Sequence, residues 1–524
     1  MPSKEYDVLI IGSGHSGGMA ANILTRKKIS CVMLNAGPVV DVNRHRSTKA
    51  SHELPFRGFG KPGRNPHILI ADEFNANQWV DETEVPYTHG AGAGYDWARV
   101  RLVGGRSLFW ARQCFRFSDY EFKTRDHDGY DQNWPISLAD LAPYYSRVEA
   151  IFKIVGRNEN LPQLPDADLI GLPEGHDSYF ARRFTEAAAS LGLPASPMRV
   201  ATGGTGMAGS VDLLLPEAAA SGFLDIVPNA IVREITVDKN SGRVNGASFV
   251  DRHSRREMHV TARVVVLAAG TLESTRLLLN SGIANSSGLV GRYLTDHSYG
   301  CNVVASVPEA RYGKAKPGMM GGTMIVPRFR NLRKGENHDF IRGYALAIYP
   351  DIRPEPNFFE TYGAELQSKL DGYAGSCVQG GICGEVLPRY ENHVCIDKNV
   401  VDAWGIPALH ICARYTDNEI RMSRDAANMQ EEIFRAAGFE ILVKSDRMFP
   451  PGYSMHELGT CRMGDDPKTS VLNGFNQSHD IRNLFVVDGA AFVTAGWQNP
   501  TMTIMALSMR ASEYLAGQLR LNDL

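Results

Sequence analysis

The chain has 524 residues, a formal net charge of −3, 43% hydrophobic residues and 22% charged residues. That length allows roughly two to four domain-sized units and a large buried core. The near-balanced charge gives no electrostatic case for nucleic acid or an anionic membrane, and no run of about 18 apolar residues predicts a membrane-spanning helix. The first residues lead straight into a strand-like run without the basic, apolar and small-residue pattern of a signal peptide. The expected location is therefore cytoplasmic, with export alongside a partner subunit left open. Eight cysteines are scattered without a CxxC, which reads as buried thiols rather than disulfides or metal ligands.

In chain order, YDVLIIGSGHSGGMAANILTRKKISCVMLNAGP predicts a strand, a tight turn, a helix and a second strand. Residues 8–11 form a continuous apolar run, as in a strand buried on both faces. Gly12, Gly14 and Gly17 then make GxGxxG between that strand and a helix predicted over 19–27, with a second strand over 31–35. In that setting the first glycine permits the turn and the second lets backbone approach a pyrophosphate. The third lets helix and strand pack closely, and the phosphates lie at the positive helix N-terminus. Asn35 ends the second strand, where an acid would meet the ribose hydroxyls. It either bonds that diol through its amide or only starts the turn NAGP.

Residues 46–100 are polar and irregular, and an insertion of this length predicts a lid, a binding loop or a subunit contact. RVRLVGGRSLFWARQ follows, with Gly104 and Gly105. Helical spacing runs over 138–155. The segment from Phe223 to Gly282 reads as several strands with a tight turn over 240–242. A buried strand over 264–268 then meets Gly270 and a helix over 272–281, a second strand–glycine–helix unit suited to the other half of a dinucleotide fold. Residues 301–450 alternate like strands and are rich in proline and aromatics, which predicts an antiparallel sheet domain over the cofactor. The last segment, IRNLFVVDGAAFVTAGWQNPTMTIMALS, reads as strand, turn and a helix from Pro500, with Thr501 near its start. The ends of the chain are thus expected side by side. SMHELGTCRMGDD, residues 454–466, enters just before the closing strand. Alone it is compatible with metal binding, a nucleophile, proton abstraction or a turn.

This arrangement resembles the glucose–methanol–choline (GMC) family of flavin oxidoreductases over nearly the whole chain. The resemblance rests on GSGHSGG, VGGRSLFW, NWPIS, VVVLAAGTLESTRLLLNSG with GLVGRYLTDH, HELGTCRMG and NLFVVDGAAFVTAGWQNPTMTIMALS, in that order. It looks most like pyranose oxidases and bacterial glycoside 3-oxidases and 3-dehydrogenases. It implies an α/β chain: a Rossmann-like FAD-binding domain with an α+β substrate domain built on an antiparallel sheet. FAD-binding segments would be 1–45, 201–300 and 456–524, with mixed FAD contacts and substrate-domain helices over 101–200. The substrate domain would be 301–455.

By the same resemblance, His456 and Asn499 are the catalytic pair. Asp488 reaches the sugar-phosphate part of FAD, and the backbone of Val232 faces the adenine. Gly12, Gly14, Gly17, Asn35, Gly105, Asn499 and Thr501 complete the expected cofactor contacts, and no residue is assigned to a metal. Pyranose oxidases attach FAD through a histidine in the segment that here places Phe109, so FAD is expected to be non-covalent. Some relatives carry an iron–sulfur cluster on a cysteine-rich insert, but no cysteine lies between Cys114 and Cys301. Without thiolates there is no cluster, and electrons would pass to oxygen or a diffusible acceptor. A homo-oligomer or a small accessory subunit is compatible with the sequence.

Alcohol oxidation removes a hydroxyl proton while a hydride leaves carbon for the flavin. A neutral imidazole suits the proton step near neutral pH, which points to His456 as general base. Asn499 can orient the hydroxyl without competing for its proton. The helix after Asn499 would favour negative charge on the reduced flavin. Cys461 lacks an activating neighbour, Arg462 and Met463 read as packing elements, and His297 as part of a domain junction. The expected reaction is oxidation of a secondary ring hydroxyl of a sugar or glycoside to a ketone. The alternatives are an aldonate or polyol dehydrogenase and a lyase that keeps FAD structurally.

Overall fold

The computed structural model describes residues 5–41, 75–90, 94–204, 208–311, 319–336 and 338–524. Much of the expected insertion at 46–100 lies outside the described residues. The first sheet is built on β1 (Tyr6–Ile11), flanked by β2 (Cys31–Leu34) and by the long β6 (Glu257–Leu267). Both neighbours run parallel to β1, with Val8 opposite Cys31 on one side and Val264 on the other. β3 (Leu224–Val227) extends the parallel part beyond β2, and β12 (Leu484–Val486) extends it beyond the end of β6. The first half of β6 instead pairs antiparallel with β5 (Val244–Asp251), and β5 with β4 (Ala230–Val237).

The parallel strands are buried on both faces, which explains the unbroken apolar run. Leu9 and Ile11 pack into one core layer with Val265 and Leu267. Val8 and Ile10 pack into the opposite layer with Ala20, Leu24, Ala511 and Leu515. The last two residues belong to α5 (Thr501–Arg520), and Ala20 and Leu24 to α1 (His15–Arg26). The first and last helices therefore share one face of the sheet, as expected. α2 (Leu138–Phe152) starts at a Ser137/Asp140 capping box. It ends three residues earlier than the spacing predicts, because Lys153 turns left-handed and residues 154–155 pair with 200–201.

The second sheet is antiparallel, in the order β11 (Glu440–Lys444), β7 (Val303–Ser306), β10 (Cys377–Glu385), β9 (Tyr344–Ile352), β8 (Met324–Val326) and an edge at Ser196–Pro197. α4 (Asp417–Ala436) covers it, burying Met422, Ala426, Ile433 and Phe434. The helix lies so close to β10 that a Cβ on Gly380 would stand 2.4 Å from Gln430 Oε1. The strand-like reading of 301–450 passed over this helix. Its signals were present: a Thr416/Glu419 capping box and Gly438 just past its end. α3 (Thr271–Ser281) follows Gly270 as expected.

A third, smaller sheet joins the two halves. Arg292–Thr295 pairs antiparallel with Leu458–Thr460, with Thr295 opposite Leu458. His297, two residues further on, pairs instead with Glu385 at the end of β10, and its ring meets that of His456. Among the described residues no helix is long and apolar enough to cross a membrane.

Candidate active site

A cavity of about 650 Å³ runs from the glycine turn after β1, past α3 and the start of α5, to His456. At its β1 end the three glycines play different parts. Gly12 has φ +105°, and a Cβ there would meet the Ala268 carbonyl oxygen at 2.3 Å. A Cβ on Gly17 would lie 2.0 Å from the Gly12 carbonyl oxygen. At Gly14 the nearest atom, the Gly104 carbonyl oxygen, is 3.9 Å away. The protein therefore needs glycine at 12 and 17 for its own packing, whereas at 14 it leaves open space beside the N-terminus of α1. Gly105 faces Gly14 across that space, its Cβ position 3.8 Å from the Gly14 Cα. This is the cradle a pyrophosphate requires.

Asn35 lines the cavity, but its amide is engaged in the loop. Its Oδ1 accepts from the Ser13 hydroxyl at 2.7 Å and its Nδ2 donates to the Gly37 carbonyl at 3.1 Å. Gly104 N–H donates to the Ser13 hydroxyl at 2.9 Å, so Asn35, Ser13 and Gly104 form one chain that fixes the turn. Val232 and Thr501 also line the cavity. Asp488 does so while accepting from Gly270 N–H, Ala490 N–H and the Ser274 hydroxyl at 3.0, 3.0 and 2.5 Å. Burial raises its pKa, opposed by those hydrogen bonds.

Arg99 is a cavity residue that sequence reasoning missed. It is 5% exposed, stacks on Trp97 at 4.2 Å and gives one hydrogen bond to the Val85 carbonyl at 2.7 Å. Its Nε and Nη1 are buried without a protein partner. Burial lowers its pKa to about 10, which still leaves it cationic. Nearby, Arg101 and Arg276 both pair with Glu273. An arginine following an irregular polar stretch looks like surface, and no local pattern marks it. Open space at Gly14 and orphaned guanidinium nitrogens on Arg99 both fit a dianionic dinucleotide.

At the other end, His456 and Asn499 meet: Asn499 Nδ2 lies 3.5 Å from His456 Nε2. The other ring nitrogen of His456 faces His297, Nδ1 to Nδ1 at 3.2 Å, with the rings nearly perpendicular. Burial first, then His297 and Arg106, hold the His456 pKa well below the ordinary value. Burial also lowers His297 to about 4. Both rings are thus neutral at ordinary pH. The Gly496 carbonyl acts on His297 as a backbone acceptor, too loosely for a full hydrogen bond to its Nε2. Glu457 is neutralised by Arg106 at 2.6 Å, and Asp296 accepts from the Ser454 hydroxyl beneath His456.

His297 was expected only at a domain junction; it also touches the candidate base. Its ligand atom, that of His456 and the Cys383 thiol lie within 4.8 Å of one another. This grouping is invisible in sequence because the three residues are far apart along the chain. Cys461 is buried, with its thiol pushed up to about 12 by burial. Arg462 is held by Asp131 at 2.8 Å and lies over Tyr293. Phe109 borders the cavity and packs on Trp79.

A parallel dinucleotide sheet that delivers a neutral imidazole and an amide to the end of the cofactor cavity defines an oxidoreductase of the flavin-dependent kind. The chain belongs to the GMC oxidoreductase family, whose models match residues 92–299 and 388–508. Members bind FAD and oxidise CH–OH groups, and this chain is such an enzyme. It is 28% identical to 2-methyl-1,2-propanediol dehydrogenase of Mycolicibacterium austroafricanum, covering 98% of this chain and 96% of the relative. It is 26% identical to C-glycoside 3-oxidase of Arthrobacter globiformis, covering 98% and 95%. Among solved structures, pyridoxine 4-oxidase from Mesorbium loti superposes with a TM-score of 0.65 at 21% identity, covering 97% and 99%.

Proposed function

We propose that the enzyme oxidises a secondary ring hydroxyl of a neutral sugar or glycoside to a ketone, with His456 as general base. FAD, when bound, supplies the hydride acceptor. The observation that carries the reading is the position of the His456 ring between two partners. His297 faces Nδ1, and the tautomer in which His456 Nδ1 donates to His297 leaves the Nε2 lone pair beside Asn499. Nε2 then takes the hydroxyl proton, and the Asn499 amide donates to the same oxygen and orients it. Asn302, Gln113, Gln379 and Tyr349 offer neutral hydrogen-bonding groups in the same cavity, with Phe449 and Tyr453 as apolar walls. Such groups suit the hydroxyls of a polyol or sugar.

Replacing His456 by Ala tests this. The variant should keep FAD, because the glycine turn and Arg99, not His456, form the dinucleotide cradle. It should lose about 10²–10⁴-fold in flavin reduction by substrate, and Asn499→Ala should lose less. Near wild-type reduction by His456→Ala would place the base elsewhere. A second reading, a small diol or polyol as substrate, has the support of the 2-methyl-1,2-propanediol dehydrogenase similarity. Anaerobic mixing with sugars, glycosides and diols, followed by flavin absorbance, separates the two. Bleaching by none of them would favour the lyase alternative. Without cysteines over residues 115–300 for a cluster, the acceptor is oxygen or a diffusible quinone-like compound.

A further inference from the structure

Behind the catalytic pair lies a third donor. His297–Ser298 pairs antiparallel with the end of β10, His297 opposite Glu385. Cys383 is two residues along the same strand and so shares its face with Glu385. His456, just before Leu458–Thr460, adds its ring from a third segment of the chain. Two imidazole nitrogens bound to one tetrahedral zinc at about 2.0–2.1 Å stand about 3.3 Å apart. His297 Nδ1 and His456 Nδ1 are already 3.2 Å apart. The Cys383 sulfur lies within 4.8 Å of a ring nitrogen of each histidine and needs to close to about 3.5 Å for a zinc–sulfur bond of about 2.3 Å. Among the described residues, a long contact from the Tyr299 hydroxyl, at 3.8 Å, is the one hydrogen bond to that thiol. Two imidazoles and a thiolate select a borderline-soft cation over magnesium or calcium.

We propose that His297, His456 and Cys383 form an inhibitory site for a zinc-class divalent cation; the inhibition rests on His456 being the base. The cation occupies the place of the proton between the two Nδ1 atoms. That proton moves to His456 Nε2, Cys383 gives its proton to solvent, and the cation bonds two nitrogens and the sulfur. One proton is released in total, and no electrons are exchanged. His456 then presents an N–H to the substrate instead of a lone pair and cannot accept the hydroxyl proton.

The test uses the FAD-loaded enzyme and zinc chloride. Equilibrium dialysis should find one zinc per chain, and calorimetry in buffers of different ionisation enthalpy about one proton released. Flavin reduction by an active substrate should fall about tenfold or more and recover with a chelator. Cys383→Ser should reduce flavin within about twofold of wild type without zinc, yet bind zinc about tenfold or more weakly; Cys383→Ala serves if the serine variant folds poorly. The absence of stoichiometric zinc, or zinc affinity equal to wild type in both Cys383 variants, would overturn the site. Zinc bound through Cys383 with flavin reduction unchanged would overturn the inhibition. In that event an active His456→Ala traces the failure to the base assignment, and an inactive one to the inference drawn here.

Discussion

Replacing Gly14 by Ala separates the needs of the cofactor from those of the fold. Gly14 caps α1 with φ −65°, a conformation any residue adopts, and its added Cβ would meet nothing nearer than 3.9 Å. The apoprotein should therefore fold normally and gain about 0.4–1 kcal/mol from the less flexible unfolded chain. The methyl group would stand where the pyrophosphate approaches the backbone. Losing one hydrogen bond to a charged group is worth about 1.5–3 kcal/mol, so FAD affinity should fall roughly 10- to 150-fold. Gly17→Ala is the contrasting case: its Cβ would lie 2.0 Å from a carbonyl oxygen, and the apoprotein itself should be destabilised. Thermal unfolding of both apoproteins, together with flavin-fluorescence titration, measures the two effects. FAD affinity in Gly14→Ala within twofold of wild type, or an apoprotein melting as low as Gly17→Ala, would refute the division of labour.

Acid precipitation should release all flavin into the supernatant, because Phe109 cannot form the covalent bond; yellow colour in the washed pellet would contradict this. Trp134 is 1% exposed and its indole N–H donates to the Thr494 hydroxyl at 2.8 Å. Trp134→Ala should cost about 3–5 kcal/mol, read as a lower denaturant midpoint at unchanged slope. Burial alone would raise the Glu273 carboxyl, yet Arg101, Arg276 and Arg99 pull it down to about 2. Its stabilising contribution is complete above the ordinary value of 4.5 and fades as pH falls from there towards 2. Over that window the melting temperature of the wild-type apoprotein should fall more steeply than that of Glu273→Gln; equal slopes would argue against the arginine cluster.

What was legible in the sequence was local or strongly patterned. Gly12, Gly14 and Gly17 carry their meaning in a six-residue window, and apolar runs show as buried strands wherever they occur. His456 and Asn499 could be paired only through the family resemblance, since their meeting depends on how the closing strand and α5 fold back. The contact between His297 and His456 is harder still. It depends on how His297, paired with β10, and the segment before Leu458 come together in the fold. Arg99 was missed because burial of a guanidinium is decided by what packs around Trp97, not by its own neighbours in sequence. The end of α2 moved because Lys153 left the helical region, a choice imposed by pairing with residues 200–201.

The meeting of the two chain ends bears on how the enzyme is made. The Ser508 hydroxyl on α5 donates to the Ser16 carbonyl on α1, 492 positions away. β12, which extends the sheet beyond β6, is synthesised long after β1. At about 5–20 residues per second, β1 waits about 25–95 s on the ribosome before β12 and α5 follow it. During that interval the glycine turn exists without the helix that packs against α1, and no complete flavin pocket can form. Flavin would then bind the finished pocket rather than the nascent one, and the face of β1 that α5 buries would stay uncovered until α5 is made.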